Sequence, residues 1–366
     1  MTSNTIGSIF PETTYGSLTQ LVANTDTAYD LVTKLSDQAS SGLISSSYAG
    51  LGEEAATSLS LRPELSELST WQTNIDSATS TMDVQQTALS QISSIASSFY
   101  TQVNSLNSLD ADEIPTIAAD AQSALRQVAN LLDTQDGGVY VFAGQDSGNA
   151  PVPDADNILN SGFYTQIATA VSGLAANGAA ATTASTLSIA ESNAAGTSPF
   201  SAALSQPSAA LADYRQTVQV GEGTTVAVSI VASANASVTS TGTSTTGSYM
   251  RDIMRALATI GSLSGSQVTD STDFNALVSD TASSLQDALT ALNQDAGVLG
   301  DQQTQLSTTQ TTLADVSTSL QSQVSDAEDV DMAQVSTELS NAQTRLQASY
   351  DLLSDMKGLS LAAYLT

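Results

Sequence analysis

Cysteine and histidine are both missing from the 366 residues. Without thiolate or imidazole there is no Ser–His–Asp or Cys–His nucleophile, no thiolate or histidine zinc site and no HExxH motif. There is also no disulfide framework, so stability has to come from packing and assembly. Positive charge is nearly as scarce. Eight Lys and Arg stand against 37 Asp and Glu, a formal net charge of -29. That field repels phosphate backbones and anionic headgroups, which excludes nucleic-acid binding. No stretch approaches 18 uninterrupted apolar residues, so neither a transmembrane span nor membrane insertion is expected. The opening MTSNTIGSIFP lacks the basic and long apolar regions of a cleaved secretory signal, so an exported product would use a route that needs none. Yet 41% of the chain is apolar, enough to build a core.

What is present is helical periodicity, concentrated at the two ends. A first tract, about 18–39, places Leu18, Leu21, Val22, Tyr29, Val32 and Leu35 on one face, and the Gly- and Ser-rich run 40–52 breaks it. In the second tract Leu61, Leu68, Ile75, Met82, Leu89, Ala96 and Val103 recur every seven residues, and Glu64, Trp71, Ala78, Gln85, Ile92, Phe99 and Leu106 follow three behind. Only Glu64 and Gln85 depart from an apolar stripe, which is the a/d seam of a coiled coil. The spacing predicts one helix over about 53–107, with Pro63 tolerable near its start or at a kink. A further helix is predicted over 114–132, with Pro115 in its first turn.

Residues 145–248 change character. Pro151, Pro153, Pro199 and Pro207 fall inside, 218–231 reads as a hairpin turning at Gly221-Glu222-Gly223, 175–186 as a loop or irregular helix, and 233–248 as a surface loop. Periodicity resumes near Tyr249. Val278, Leu285, Leu292, Leu299, Leu306, Leu313, Leu320 and Ala327 then repeat every seven residues until the acidic run 326–331, and a last helix follows. The expected fold is mainly α: an elongated antiparallel coiled-coil or helical-bundle rod from both chain ends (1–144 and 249–366), carrying an inserted α/β or β-rich domain (145–248).

Several strings carry a resemblance. Leu299 to Leu306 (LGDQQTQL) resembles an "LGxxQxxL" pattern, Asp329 to Ala333 (DVDMA) a "DxDxA", Asn341 to Ala348 (NAQTRLQA) a "QxxLQA", and Ala39 to Gly42 (ASSG) an "LSSG". In this order, around heptad helices, they are similar to the flagellin superfamily. Within it, Val139 to Gly144 (VYVFAG), Val218 to Thr224 (VQVGEGT) and Gly358 to Leu365 (GLSLAAYL) resemble the third hook-associated type, the hook–filament junction subunits, more than filament flagellins. The basic residues usual after "SSG" are missing. The resemblance implies an extracellular, non-enzymatic structural subunit of the bacterial flagellum that self-associates in a ring. Its implied partners are flagellin, the adjacent hook-associated protein and an export chaperone on the C-terminal helix, with no cofactor. Filament flagellin, or a secreted adhesin on the same scaffold, are the alternatives.

The terminal pieces, about 1–40 and 335–366, are expected to have few partners in a lone subunit and to be buried by neighbours. Leu18, Val22, Val32, Leu35, Val335, Leu339, Leu346, Leu353, Leu361 and Leu365 are the candidate assembly residues. Burying six Leu-sized side chains there would contribute roughly 10 kcal/mol before ordering costs. Each stripe also has a plainer reading as the core of an intramolecular bundle. The acidic run Asp326, Glu328, Asp329 and Asp331 lacks the glycine and ligand spacing of a calcium loop, so capping of the last helix by Asp329 and Asp331 is expected instead. Ser354 to Lys357 matches an SxxK nucleophile motif, but Lys34 is the only other lysine and no KTG-like segment accompanies it. Phe163, Tyr164, Phe200 and Tyr214 are aromatics that could face a glycan or fill a core.

Overall fold

The computed structural model describes residues 12–106, 111–269 and 271–365, with side chains described over 19–106, 111–268 and 272–355. It is mainly helical: α1 Glu12–Ser41, α2 Tyr48–Leu51, α3 Ala55–Leu106, α4 Ile114–Leu132, α5 Gly162–Ser172, α6 Leu174–Glu191, α7 Ser208–Ala212, α8 Tyr249–Gly261, α9 Ser271–Glu328 and α10 Met332–Leu365. Two small antiparallel hairpins complete it, β1 Gln135–Asp136 with β2 Val139–Tyr140, and β3 Thr217–Gly221 with β4 Thr224–Ala227. By contacts the chain divides into two units, one of residues 1–67 with 315–366 and one of 68–314.

In the unit 68–314 the heptads become core. Leu68, Ile75, Met82, Leu89, Ala96 and Val103 of α3 are buried, as are Val278, Leu285, Leu292, Leu299 and Leu306 of α9. The helices run antiparallel with their sevens in phase. Gln310 donates to Asp76 and Gln303 to Asp83 at 2.7 Å, seven residues on in α3 and seven back in α9. Ser93 with Asn293 (3.0 Å) and Tyr100 with Gln286 (3.2 Å) repeat the same step. Polar pairs thus flank an apolar seam; a slip of one heptad would keep the stripe matched but leave a Gln and an Asp of these pairs without partners. Pro63 lies inside α3 in its third turn, where the i→i−4 bond it cannot donate is lost.

Gln85, the buried exception in the stripe, is a fastening point. Its amide nitrogen donates to Val141 O and to Ile230 O, and its amide oxygen accepts from Ile230 N. One side chain therefore satisfies the backbone of two segments with no sheet of their own. After Val141 come Phe142 and Ala143, also buried, and then Gly144 at φ +61°, where a Cβ would come within 2.5 Å of Tyr214 O. Both the dihedral and the close approach require glycine.

The insert meets expectation in two places and departs from it in a third. Its β content is the β3–β4 hairpin, which turns where the sequence indicated. The segment 175–186 lies within α6, kinked at Gly178 (φ +78°). The stretch 233–248, expected as a surface loop, is instead sewn into the core with Ser233, Ser240, Ser244 and Ser248 buried. The reason is charge. All thirteen residues of α8 are buried, including Arg251, Asp252 and Arg255. Arg255 donates to Ser244 O (2.7 Å) and Ser284 Oγ (2.6 Å), and Asp252 accepts from Thr245 Oγ1 and Thr246 N. Asp295 of α9 accepts from Ala236 N, Ser237 N, Ser237 Oγ and Tyr249 OH at 2.7–3.0 Å. Arg251 holds Ser233 O, Ala190 O and Asn193, with its guanidinium 5.2 Å from the Phe200 ring centre. Irregular backbone can be buried only when its polar groups find such partners. Phe163, Tyr164 and Phe200 are buried and Tyr214 is half-buried, so three of the four candidate glycan-facing aromatics are core.

Two outcomes follow from this packing. Gln85→Leu, which keeps the volume but strands Val141 O and the Ile230 backbone, should lower urea stability by about 2–4 kcal/mol. Asp133, at the C-terminal end of α4, has its carboxyl raised to about 6, first by burial and further by Asp156, against the lowering effect of the Val152 N–H it accepts at 2.8 Å. A folded value above the unfolded one penalises the ionised native state, so stability should rise as pH falls from 7 through 6 towards 4. Asp133→Asn, which still accepts the Val152 bond, should remove about 2 kcal/mol of that slope in denaturation midpoints measured from pH 4 to 7.5.

Candidate functional site

In the unit formed by residues 1–67 and 315–366, α1 packs along α10. The pair is antiparallel: α1 ends and α10 begins beside a β-bridge, Leu43 opposite Asp329. Their shared core is thin: Leu35, Val335 and Ala342 are buried, with Val32, Ala39, Val330 and Leu339 partly so. Thr25 is buried too and returns its hydroxyl to Leu21 O at 2.8 Å.

The candidate assembly residues divide accordingly. Leu35 and Val335 are inside the pair. Val32, Leu339, Leu346 and Leu353 are half-buried, and Val22 is exposed. The side chains of Leu18, Leu361 and Leu365 lie outside the described residues. Within one chain α1 and α10 serve each other, because an antiparallel pair with matching stripes needs no third helix to cover part of its apolar face. The cover is incomplete. Ten large apolar side chains are exposed among the described residues, and six of them, Val22, Tyr29, Leu31, Met332, Tyr350 and Leu352, sit on these two helices.

The acidic run beneath the pair has resolved roles. Asp331 caps α10, its Oδ1 accepting from Ala333 N (2.8 Å) and Gln334 N (3.2 Å), as a carboxylate at a helix N-terminus should. Asp329, expected to cap beside it, instead accepts from Ser325 Oγ. Glu328 is a contact that periodicity does not reveal. It is buried, and it accepts from Ser58 Oγ of α3 and from Arg62 Nε (2.8 Å) and Nη2. Those hydrogen bonds hold its carboxyl below the usual range and raise the Arg62 guanidinium. Arg62 itself is 53% exposed.

The pattern of the bacterial flagellin N-terminal helical region matches residues 13–147, and that of the flagellin C-terminal helical region matches 283–365, together more than half of the chain. This chain belongs to the flagellin superfamily. Among solved structures it is similar to a chain of Vibrio parahaemolyticus described as a flagellar hook-associated protein, with a TM-score of 0.51 and 15% identity, covering 77% of this chain and 99% of that one. At that identity the likeness is one of fold. No curated protein sequence matches. Superfamily members are structural proteins of the flagellum, exported and self-associating, and this chain is such a flagellar structural subunit.

The thin core makes the terminal pair sensitive to single losses. Leu35→Ala should cost about 2–3 kcal/mol locally and speed proteolysis within α1 and α10 together, while cleavage within 68–314 stays unchanged. Mass spectrometry of timed digests reads both.

Proposed function

We propose that this flagellar subunit joins hook to filament. The observation that carries the reading is the terminal pair: two helices of family-specific sequence share a three-residue buried core and leave six large apolar side chains in water. A surface of that kind on a self-associating family member is completed by neighbouring copies. In this reading Val22, Val32, Leu339, Leu346 and Leu353 face neighbours, with Leu18, Leu361 and Leu365 extending the same stripes. Leu35 and Val335 hold the pair together. Residues 145–248 form an insert between the two arms in the sequence. The VYVFAG, VQVGEGT and GLSLAAYL strings favour the junction role over the filament, and the partners would be flagellin, the adjacent hook-associated protein and an export chaperone at the C-terminal helix.

Filament flagellin is the second reading, favoured by the match of both flagellin end patterns. The two separate on purified protein. A junction subunit stays monomeric in sedimentation until hook-associated partners are added, whereas a filament subunit polymerises alone. Limited proteolysis of the monomer should trim about 30–40 residues from each end and leave a resistant core. Leu346→Asp with Leu353→Asp should abolish assembly and leave the urea midpoint of the 68–314 unit within about 0.5 kcal/mol of wild type. Normal assembly of that variant would overturn the interface.

A further inference from the structure

Both long helical tracts on either side of the terminal pair are interrupted, and the interruptions touch. α1 ends at Gly42, which sits at φ +75° and donates to Gln38 O at 2.8 Å, a left-handed helix cap that glycine favours. α9 ends at Glu328, and only residues 329–331 separate it from α10. Ile44 N donates to Glu328 O (2.7 Å), Val330 N donates to Gly42 O (2.9 Å), and Gln38 Nε2 ties in Ile44 O (2.8 Å). Each break therefore supplies the hydrogen-bond partners that the other lacks.

The side chain of Glu328 reaches the opposite way, into α3, where Ser58 is fully buried and Arg62 closes over it. Among the described residues this is the one salt bridge found, in a chain with only eight cations. One residue thus holds the first break through its carbonyl and the α3 helix through its carboxylate.

We infer that Glu328 is a latch coupling the two helix breaks, so that residues 42–44 and 328–330 open and close as one hinge at the base of the terminal pair. With the carboxylate held by Ser58 and Arg62, the Glu328 carbonyl is fixed in place for Ile44, and the following peptide is aimed at Gly42. With the carboxylate released, no other hydrogen bond found among the described residues ties that peptide to α3, and both bridge bonds weaken together.

Backbone amide exchange on the full chain tests this. In Glu328→Gln, exchange at Ile44 and Val330 should accelerate together by about tenfold, while Leu125 in α4 keeps its wild-type rate. Ser58→Ala should move the same two amides by a smaller factor. Arg62→Gln should match Glu328→Gln, Arg62→Lys should restore part of the protection, and the double variant Arg62→Gln/Glu328→Gln should be no faster than either single one. Acceleration at Ile44 without Val330, or at neither, would overturn the coupling. Equal acceleration at Leu125 would reduce the contact to general stability and overturn it as well.

Discussion

The seam between α3 and α9 is the constraint on which the other features of the 68–314 unit depend. Two heptad stripes meet antiparallel, and a step of seven along one is answered by a step of seven back along the other in the flanking polar pairs. Hydrophobic burial supplies the driving force but is indifferent to register over one heptad. The flanking bonds are directional, and they select the register. Once it is set, the position of every other attachment on these helices is fixed. Gln85 can fasten the backbone at Val141 and Ile230, and Asp295 can receive the amides at Ala236 and Ser237.

Charge is then used where it is hardest to replace. With so few cations available, three arginines are spent in the 68–314 interior: Arg251 and Arg255 are buried and Arg215 is half-buried, donating to Ser229 O and Ala236 O. Burial lowers all three guanidinium pKa values, an effect partly countered by Asp252, Asp280 and Asp295 nearby. Buried ions of this kind are poor sources of net stability. What they do here is hold a Ser-, Thr- and Gly-rich segment with no regular structure against helices. A sheet or helix would satisfy its own backbone, and this segment has neither.

That division explains what could be read from the chain alone. The α3 and α9 stripes, the bounds of α4 and the β3–β4 turn were legible because period and turn chemistry are local properties. Asp331 was legible for the same reason, since a carboxylate ahead of an apolar-periodic run has one common use. The strap at 233–248 was not, because Ser and Thr look the same on a surface and beside a buried carboxylate. Of the β1–β2 hairpin, Gly137-Gly138 mark the turn and Val139-Tyr140 are β-prone, but the two-residue strand Gln135–Asp136 carries no alternation to read. The Glu328–Arg62 contact spans 266 positions, and no spacing rule reaches that far. A weak sign was there: one of eight cations sits inside a heptad helix, one residue before a proline, where no local acidic partner is needed for solubility.

The terminal pair follows a different logic from the seam. A stripe that is continuous enough to build a bundle is left with a core of Leu35, Val335 and Ala342 and with Val22, Tyr29 and Leu352 in water. Evolution towards a self-contained monomer would cover those residues, because each exposed Leu-sized side chain forgoes about 1.5–3 kcal/mol of burial. A subunit that must travel alone and act only in company has the opposite requirement. Its terminal helices have to hold together loosely enough to be exported and present an apolar face on arrival. Pairing α1 with α10 through a few central contacts is compatible with both demands, and in the proposed reading it leaves the half-buried positions, rather than the core, to decide between monomer and assembly.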